Sequence, residues 1–150
     1  MSANSAVKLG HFNFTKIKKR IFRFKKKALD EKKLLKILKN KGINLICLAG
    51  FMKILSKNFI NNFKGKILNI HPSLLPKYKG LDTHKRVLAN KEKYTGCTVH
   101  FVSSKLDAGK IIVQKKVKIK KNDTPKKIAK RVLTEEHKLY PKAILKIFNL

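Results

Sequence analysis

Acidic side chains are scarce in this chain: eight Asp and Glu stand against 38 Lys and Arg, giving a formal net charge of +30 over 150 residues. Such an excess ordinarily points to nucleic acid, an anionic membrane surface or acidic small molecules. Arginine is scarce too, limited to Arg20, Arg23, Arg86 and Arg131, while the lysines are spread along the whole chain. Sequence-reading nucleic-acid binders rely on arginine forks and clustered patches. No dedicated nucleic-acid partner is therefore expected, although the charge should still draw polyanionic small molecules. Long apolar runs are missing, with nothing near the roughly 18-residue span of a transmembrane helix. The first 20 or so residues also lack the apolar core of a signal peptide, so a cytoplasmic protein without a membrane partner is expected. The two cysteines, Cys47 and Cys97, have no close partner and no metal-type spacing, which predicts buried thiols in a reducing compartment and no metal. Seven glycines, four prolines and 43% hydrophobic residues argue against disorder and for one globular domain over residues 1–150.

Periodicity supplies the elements. Residues 1–24 are basic with scattered aromatics and read poorly, a short strand over 16–22 being the best candidate. Leu34, Leu35, Ile37 and Leu38 fall at helical spacing and predict an amphipathic helix from Ala28 to Lys41, closed by Gly42. Ile43 to Ala49 is apolar on both faces, which suits a buried parallel strand better than an edge. Helix, glycine and apolar strand form the second half of a βαβ unit. A helix capped by Ser56 follows to Phe63, then a strand from Lys66 to Ile70, a turn-rich loop over Pro76 to Gly80 and a short helix from Thr83 to Asn90. Val99, His100 and Phe101 mark one later strand and Ile112 to Ile119 another. Thr124-Pro125 opens a final helix that Pro141 is expected to kink.

The chemistry concentrates in Asn69-Ile70-His71-Pro72-Ser73-Leu74-Leu75-Pro76. Side chains two apart on an extended segment share a face, so Asn69 and His71 can reach one reacting atom together. Pro72 keeps His71 out of a helix, placing both at a strand end, where open α/β sheets carry their ligands. Asp107 lies in the loop Ser103 to Gly109 between the two later strands. A carboxylate near the imidazole would favour its protonated form and fix its orientation. Amide, imidazole and carboxylate suit addition of a nucleophile to a carbonyl, with two donors for the growing oxyanion and one proton acceptor. No serine or cysteine lies in a nucleophile motif, which favours direct transfer between two bound substrates. From residues alone a second account stands beside this one: a turn-forming asparagine, a packed histidine and an aspartate that makes a turn with Ala108-Gly109. His84 and His100 read as structural, and His11 carries no signal.

Taken in order, Leu48-Ala49-Gly50-Phe51-Met52-Lys53-Ile54-Leu55-Ser56, then Asn69 to Pro76 with Lys77-Tyr78-Lys79-Gly80, then Leu106-Asp107-Ala108-Gly109 resemble the folate-dependent phosphoribosylglycinamide formyltransferases. Thr98-Val99-His100-Phe101-Val102 and Glu135-Glu136-His137 also fit, and the resemblance is strong over residues 26 to 141. It implies an α/β, three-layer, Rossmann-like formyltransferase fold with a mostly parallel sheet. It also implies transfer of a formyl group from 10-formyltetrahydrofolate to the amine of glycinamide ribonucleotide in purine biosynthesis. In that pattern Asn69, His71 and Asp107 form the catalytic set. Lys26, Met52, Lys53, Ile54 and Leu55 fall among folate-binding positions, with Asn69 and the loop residues Ser103, Ser104, Lys105, Leu106 and Asp107. Glu136 falls where the family contacts the glycinamide substrate.

The departures are as informative. Members of the family open with an apolar strand, a glycine- and serine-rich loop and a helix whose backbone amides hold the ribonucleotide phosphate. Here Ser2-Ala3-Asn4-Ser5 resembles the end of the family's second strand. A strand-helix-strand unit of about 30 residues or more is thus expected to be missing, through a truncated gene or a misplaced start, with the folate half of the site intact. Lys53 keeps the charge of a position often filled by arginine but loses the fork. The alternatives to the purine enzyme are methionyl-tRNA formyltransferase, a formyltetrahydrofolate hydrolase, or an inactive remnant that holds folate or polyanions.

Overall fold

The computed structural model describes residues 30–149. The candidate strand over 16–22, the predicted helix start at Ala28 and the candidate folate contact Lys26 lie outside the described residues.

The first helix, α1 (Glu31–Asn40), begins where the Asp30 carboxylate accepts a hydrogen bond from the Lys33 amide at 2.9 Å. Ser56 does the same for α2 (Lys57–Asn62) through the Phe59 amide, and Thr124 for α4 (Pro125–Phe148) through the Lys127 amide. Each cap satisfies a donor that the helix itself leaves open, which stabilises it by about 1 kcal/mol. Between them run β1 (Leu45–Leu48), β2 (Lys66–His71), α3 (Thr83–Ala89), β3 (Tyr94–Phe101) and β4 (Ile111–Lys118).

The four strands lie in the order β1-β2-β3-β4. β1 and β2 are parallel, whereas β2–β3 and β3–β4 are antiparallel. The α/β class expected from sequence stands, but the described sheet is mixed rather than mostly parallel. Segment 72–93, with α3 packed against the α4 side of the core through Val87, returns the chain so that β3 runs antiparallel to β2.

Alternation along β2 divides the interior in two. Leu68 and Ile70 join Cys97 and Val99 of β3 and Val117 of β4 under α4, whose Ile128, Val132, Leu139, Tyr140, Ala143 and Ile144 cover them. Ile67 points the other way, into a cluster with Leu38 of α1 and Phe59 and Phe63 at α2. Helices thus cover both faces, giving three layers. Asn69 and His71 share the face of Ile67. At the other end of β4, Arg131 of α4 grips Asp123 through both guanidinium arms, at 2.6 and 3.0 Å, and donates to the Lys118 carbonyl.

Two local expectations change. β1 is an edge strand among the described residues, with a strand neighbour on one side only, and Cys47 on it is exposed rather than buried. β3 starts earlier than alternation suggested, because residues 95–100 are buried on both faces and a central strand has no polar side to alternate with. Pro141 is buried inside α4, which continues through it to Phe148.

Gly96 on β3 has no room for a side chain: a Cβ there would sit 2.0 Å from the Lys115 carbonyl oxygen and 2.7 Å from Leu74 Cδ2. Gly96→Ala is expected to destabilise the protein by about 1–3 kcal/mol, read as a lower urea midpoint. An unchanged midpoint would refute this account of the β3–β4 pairing.

Candidate active site

Parallel pairing with β1 sets Leu48 beside Asn69, and antiparallel pairing with β3 sets His100 opposite Asn69 and Thr98 opposite His71. Facing side chains across a sheet are close neighbours, so the carboxamide and two imidazoles share one patch at the end of β2. Asp107 arrives from the β3–β4 loop in a left-handed conformation, with φ 44°, which few residues other than glycine adopt. Its side chain is buried.

Asp107 Oδ2 accepts from the Gly80 amide at 2.9 Å and lies 3.3 Å from His71 Nδ1, while Oδ1 lies 3.8 Å from His100 Nε2. His71 Nε2 is 2.9 Å from the Tyr78 carbonyl oxygen. A carbonyl only accepts, so Nε2 carries a hydrogen. His100 Nδ1 donates to the Phe101 carbonyl at 2.8 Å, and burial holds this imidazole below its ordinary pKa. His84 Nδ1 is buried without a hydrogen-bond partner, and its imidazole is likewise pushed down by burial, with a smaller contribution from His71.

The loop that offers the Tyr78 carbonyl is fastened from below. Thr98 donates to the Ser73 carbonyl at 2.7 Å and accepts from the Leu75 amide at 3.1 Å and from Gln114 Nε2 at 2.8 Å. Ser73 closes the turn onto the Lys77 carbonyl at 2.7 Å. On the outer side the Tyr78 hydroxyl donates to Glu92 at 2.8 Å and accepts from Asn90 at 3.0 Å, with Arg86 over its ring.

Beside the patch opens a cleft with a cavity volume of about 60 Å³. Of the residues singled out from sequence, Lys53, Ile54, Leu55, Asn69, Ser103, Lys105, Leu106 and Asp107 line it. Met52, 74% exposed, and Ser104, also exposed, lie outside that lining, and His71 sits behind Asp107 instead of on the cleft wall. Glu136 is not part of the lining either. It is half-buried on α4, and burial pushes its carboxyl up to about 7. His100 lines the cleft, whereas sequence reasoning assigned it to structure. Its place on a strand was legible, but the register that sets it against Asn69 was not. Among the described residues no cluster of side chains suits a metal ion. The Cys97 thiol, pushed up to about 12 by burial on the opposite face, is no nucleophile.

An α/β sheet here gathers amide, imidazole and carboxylate at one strand end beside a largely apolar cleft, an arrangement suited to group transfer or carbonyl chemistry. The profile of the formyl transferase family matches residues 4–144, and the chain belongs to that family. It is 48% identical over 101 residues to phosphoribosylglycinamide formyltransferase of Escherichia coli (strain K12), covering 67% of this chain and 48% of that protein. It is 50% identical over 109 residues to the trifunctional purine biosynthetic protein adenosine-3 of Gallus gallus, covering 73% of this chain and 11% of that protein. The crystal structure of phosphoribosylglycinamide formyltransferase from Streptococcus pneumoniae TIGR4 superposes with a TM-score of 0.77 at 31% identity, over 85% of this chain and 73% of that one. The enzyme of the same name from Brucella melitensis gives 0.72 at 47%, over 79% and 60%. The chain spans about half the length of the Escherichia coli enzyme and a smaller share of the trifunctional proteins.

Glu136 gives a direct pH test. Its folded-state value of about 7 exceeds the ordinary 4.5, so the folded protein binds this proton more tightly than the unfolded chain does. The associated stability is fully present below the ordinary value and is lost as pH rises toward about 7. Glu136→Gln is expected to flatten that decline and to add roughly 1–3 kcal/mol at pH near 8. Melting curves near pH 5 and pH 8 check this, and an undiminished slope in the variant would refute it.

Proposed function

We propose that this chain carries the formyl-transfer site of a phosphoribosylglycinamide formyltransferase, moving a formyl group from 10-formyltetrahydrofolate to the amine of glycinamide ribonucleotide in the cytoplasm. The observation that carries the reading is the Asp107–His71 contact at 3.3 Å beside Asn69. The cleft suits the folate: Leu48, Ile54, Leu55 and Leu106 offer apolar walls for a flat ring, and Asn69 and Asp107 offer polar groups at its inner end.

The residues divide the work by what their atoms can still do. Asn69 donates through its amide to the formyl oxygen as charge grows there. His71 has Nε2 committed to the Tyr78 carbonyl, so a proton given to the site leaves from Nδ1, the nitrogen facing Asp107. Asp107 holds that imidazole and accepts the proton shed by the attacking amine. The amine adds to the formyl carbon to give a tetrahedral intermediate, and collapse of that intermediate breaks the bond to the folate nitrogen, which takes up a proton. Lys53, Ser103 and Lys105 sit on the cleft wall at positions suited to the folate. In this reading Met52, Ser104 and Lys26 complete the folate contacts and Glu136 contacts the glycinamide substrate.

His71→Ala and Asp107→Asn are each expected to lower turnover about 100-fold or more while a folate analogue still binds within a few-fold of the parent. Formyl transfer followed by absorbance, alongside a fluorescence titration with the analogue, checks both. Undiminished turnover in either variant would sink the assignment. Hydrolysis of the folate without formyl-glycinamide product would instead assign a hydrolase.

A further inference from the structure

His100 lines the cleft beside Asn69, yet the transfer chemistry makes no use of it. The β2–β3 register sets it directly opposite Asn69, and the β3–β4 pairing shifts register between Val99 and His100. Irregularities of this kind re-aim side chains next to functional sites. The ring is 2% exposed, so its hydrogen bonds are made to protein.

Those bonds fix the tautomer. His100 Nδ1 is 2.8 Å from the Phe101 carbonyl oxygen, which has no hydrogen to offer, so Nδ1 carries one. In a neutral imidazole Nε2 is then a bare acceptor. Asn69 Nδ2 stands 3.4 Å from it, and an amide nitrogen supplies the hydrogen that the acceptor lacks. Turning the carboxamide around would set the Asn69 oxygen against the Nε2 lone pair. Asp107 Oδ1, at 3.8 Å from Nε2, is beyond hydrogen-bond range and does not compete.

We propose that His100 is a positioning residue: its Nδ1-protonated ring, through the bare Nε2, holds one hydrogen of the Asn69 amide nitrogen and so leaves the other hydrogen for the cleft. The proposal rests on the formyl-transfer reading, in which Asn69 is a donor to the reacting carbonyl. It assigns His100 no contact with substrate.

The test uses the full chain in two measurements. Nitrogen-15 spectra of histidine-labelled protein at neutral pH are expected to show His100 protonated at Nδ1 and bare at Nε2. A ring protonated at Nε2 would overturn the proposal. Steady-state transfer is then compared among His100→Phe, His100→Gln and His100→Asn. Phenylalanine keeps the ring shape without an acceptor, glutamine returns an acceptor at the depth of Nε2, and asparagine is too short to do so. His100→Phe and His100→Asn are expected to lose about 10- to 100-fold in kcat with both KM values within about twofold, and His100→Gln to recover most of the loss. Equal losses in all three, or full activity in His100→Asn, would overturn the proposal. If His100→Phe does not fold, the glutamine–asparagine comparison decides. Absence of transfer by the unsubstituted chain would reject the function reading, and the spectrum would still decide the tautomer.

Discussion

The Asp107 carboxylate is the joint on which the site depends. It ties the β3–β4 loop to the loop after β2 through the Gly80 amide and His71, and it sits within 3.8 Å of His100. A buried carboxylate without such partners would be costly. Here a backbone donor and an imidazole compensate it, and the same contacts set the ring's orientation. The backbone enforces the position from the other side. Gly109 lies so close to β3 that a Cβ would meet the Phe101 carbonyl oxygen at 1.7 Å, so the chain returns tightly toward β4 and presents Asp107 inward.

Rigidity and exposure are divided around the cleft. The inner end is anchored by Thr98, whose one hydroxyl organises Ser73, Leu75 and Gln114 and thereby the loop that carries the Tyr78 carbonyl. Hydroxyls that donate once and accept twice in a buried setting leave a loop few alternatives. The outer rim is different, for Ile54 and Leu106 line the cleft and still expose much of their apolar surface. Fixed polar groups within and apolar side chains at the mouth suit a site that binds a flat, partly apolar molecule and acts at its far end.

Much of this was legible because short-range rules governed it. Caps at Ser56 and Thr124, the glycine after α1 and the pairing of Asn69 with His71 on one strand face all follow from neighbours in sequence. What escaped depended on pairing between distant segments. The antiparallel return of β3 could not be read from a helix–glycine–strand pattern, and with it went the register that places His100 against Asn69. Met52 lies outside the cleft that Ile54 and Leu55 line, a distinction that hydrophobicity does not report. The convergence of Asp107 on His71 was anticipated through resemblance, since spacing alone favoured a turn-forming aspartate.

The acids themselves carry a broader consequence. Seven of the eight have a specific partner: Asp30 caps α1, Glu31 binds Ser56, Asp82 pairs with Lys85, Glu92 with Lys77 and Tyr78, Asp123 with Arg131 and Glu135 with Lys138. Asp107 serves the site and Glu136 is half-buried. Few carboxylates are therefore left over to offset the lysines, and dissolved anions must provide the rest of the neutralisation. Self-repulsion of that size is screened over about 10 Å at 0.1 M ionic strength, which makes the surrounding electrolyte an effective constituent of this fold.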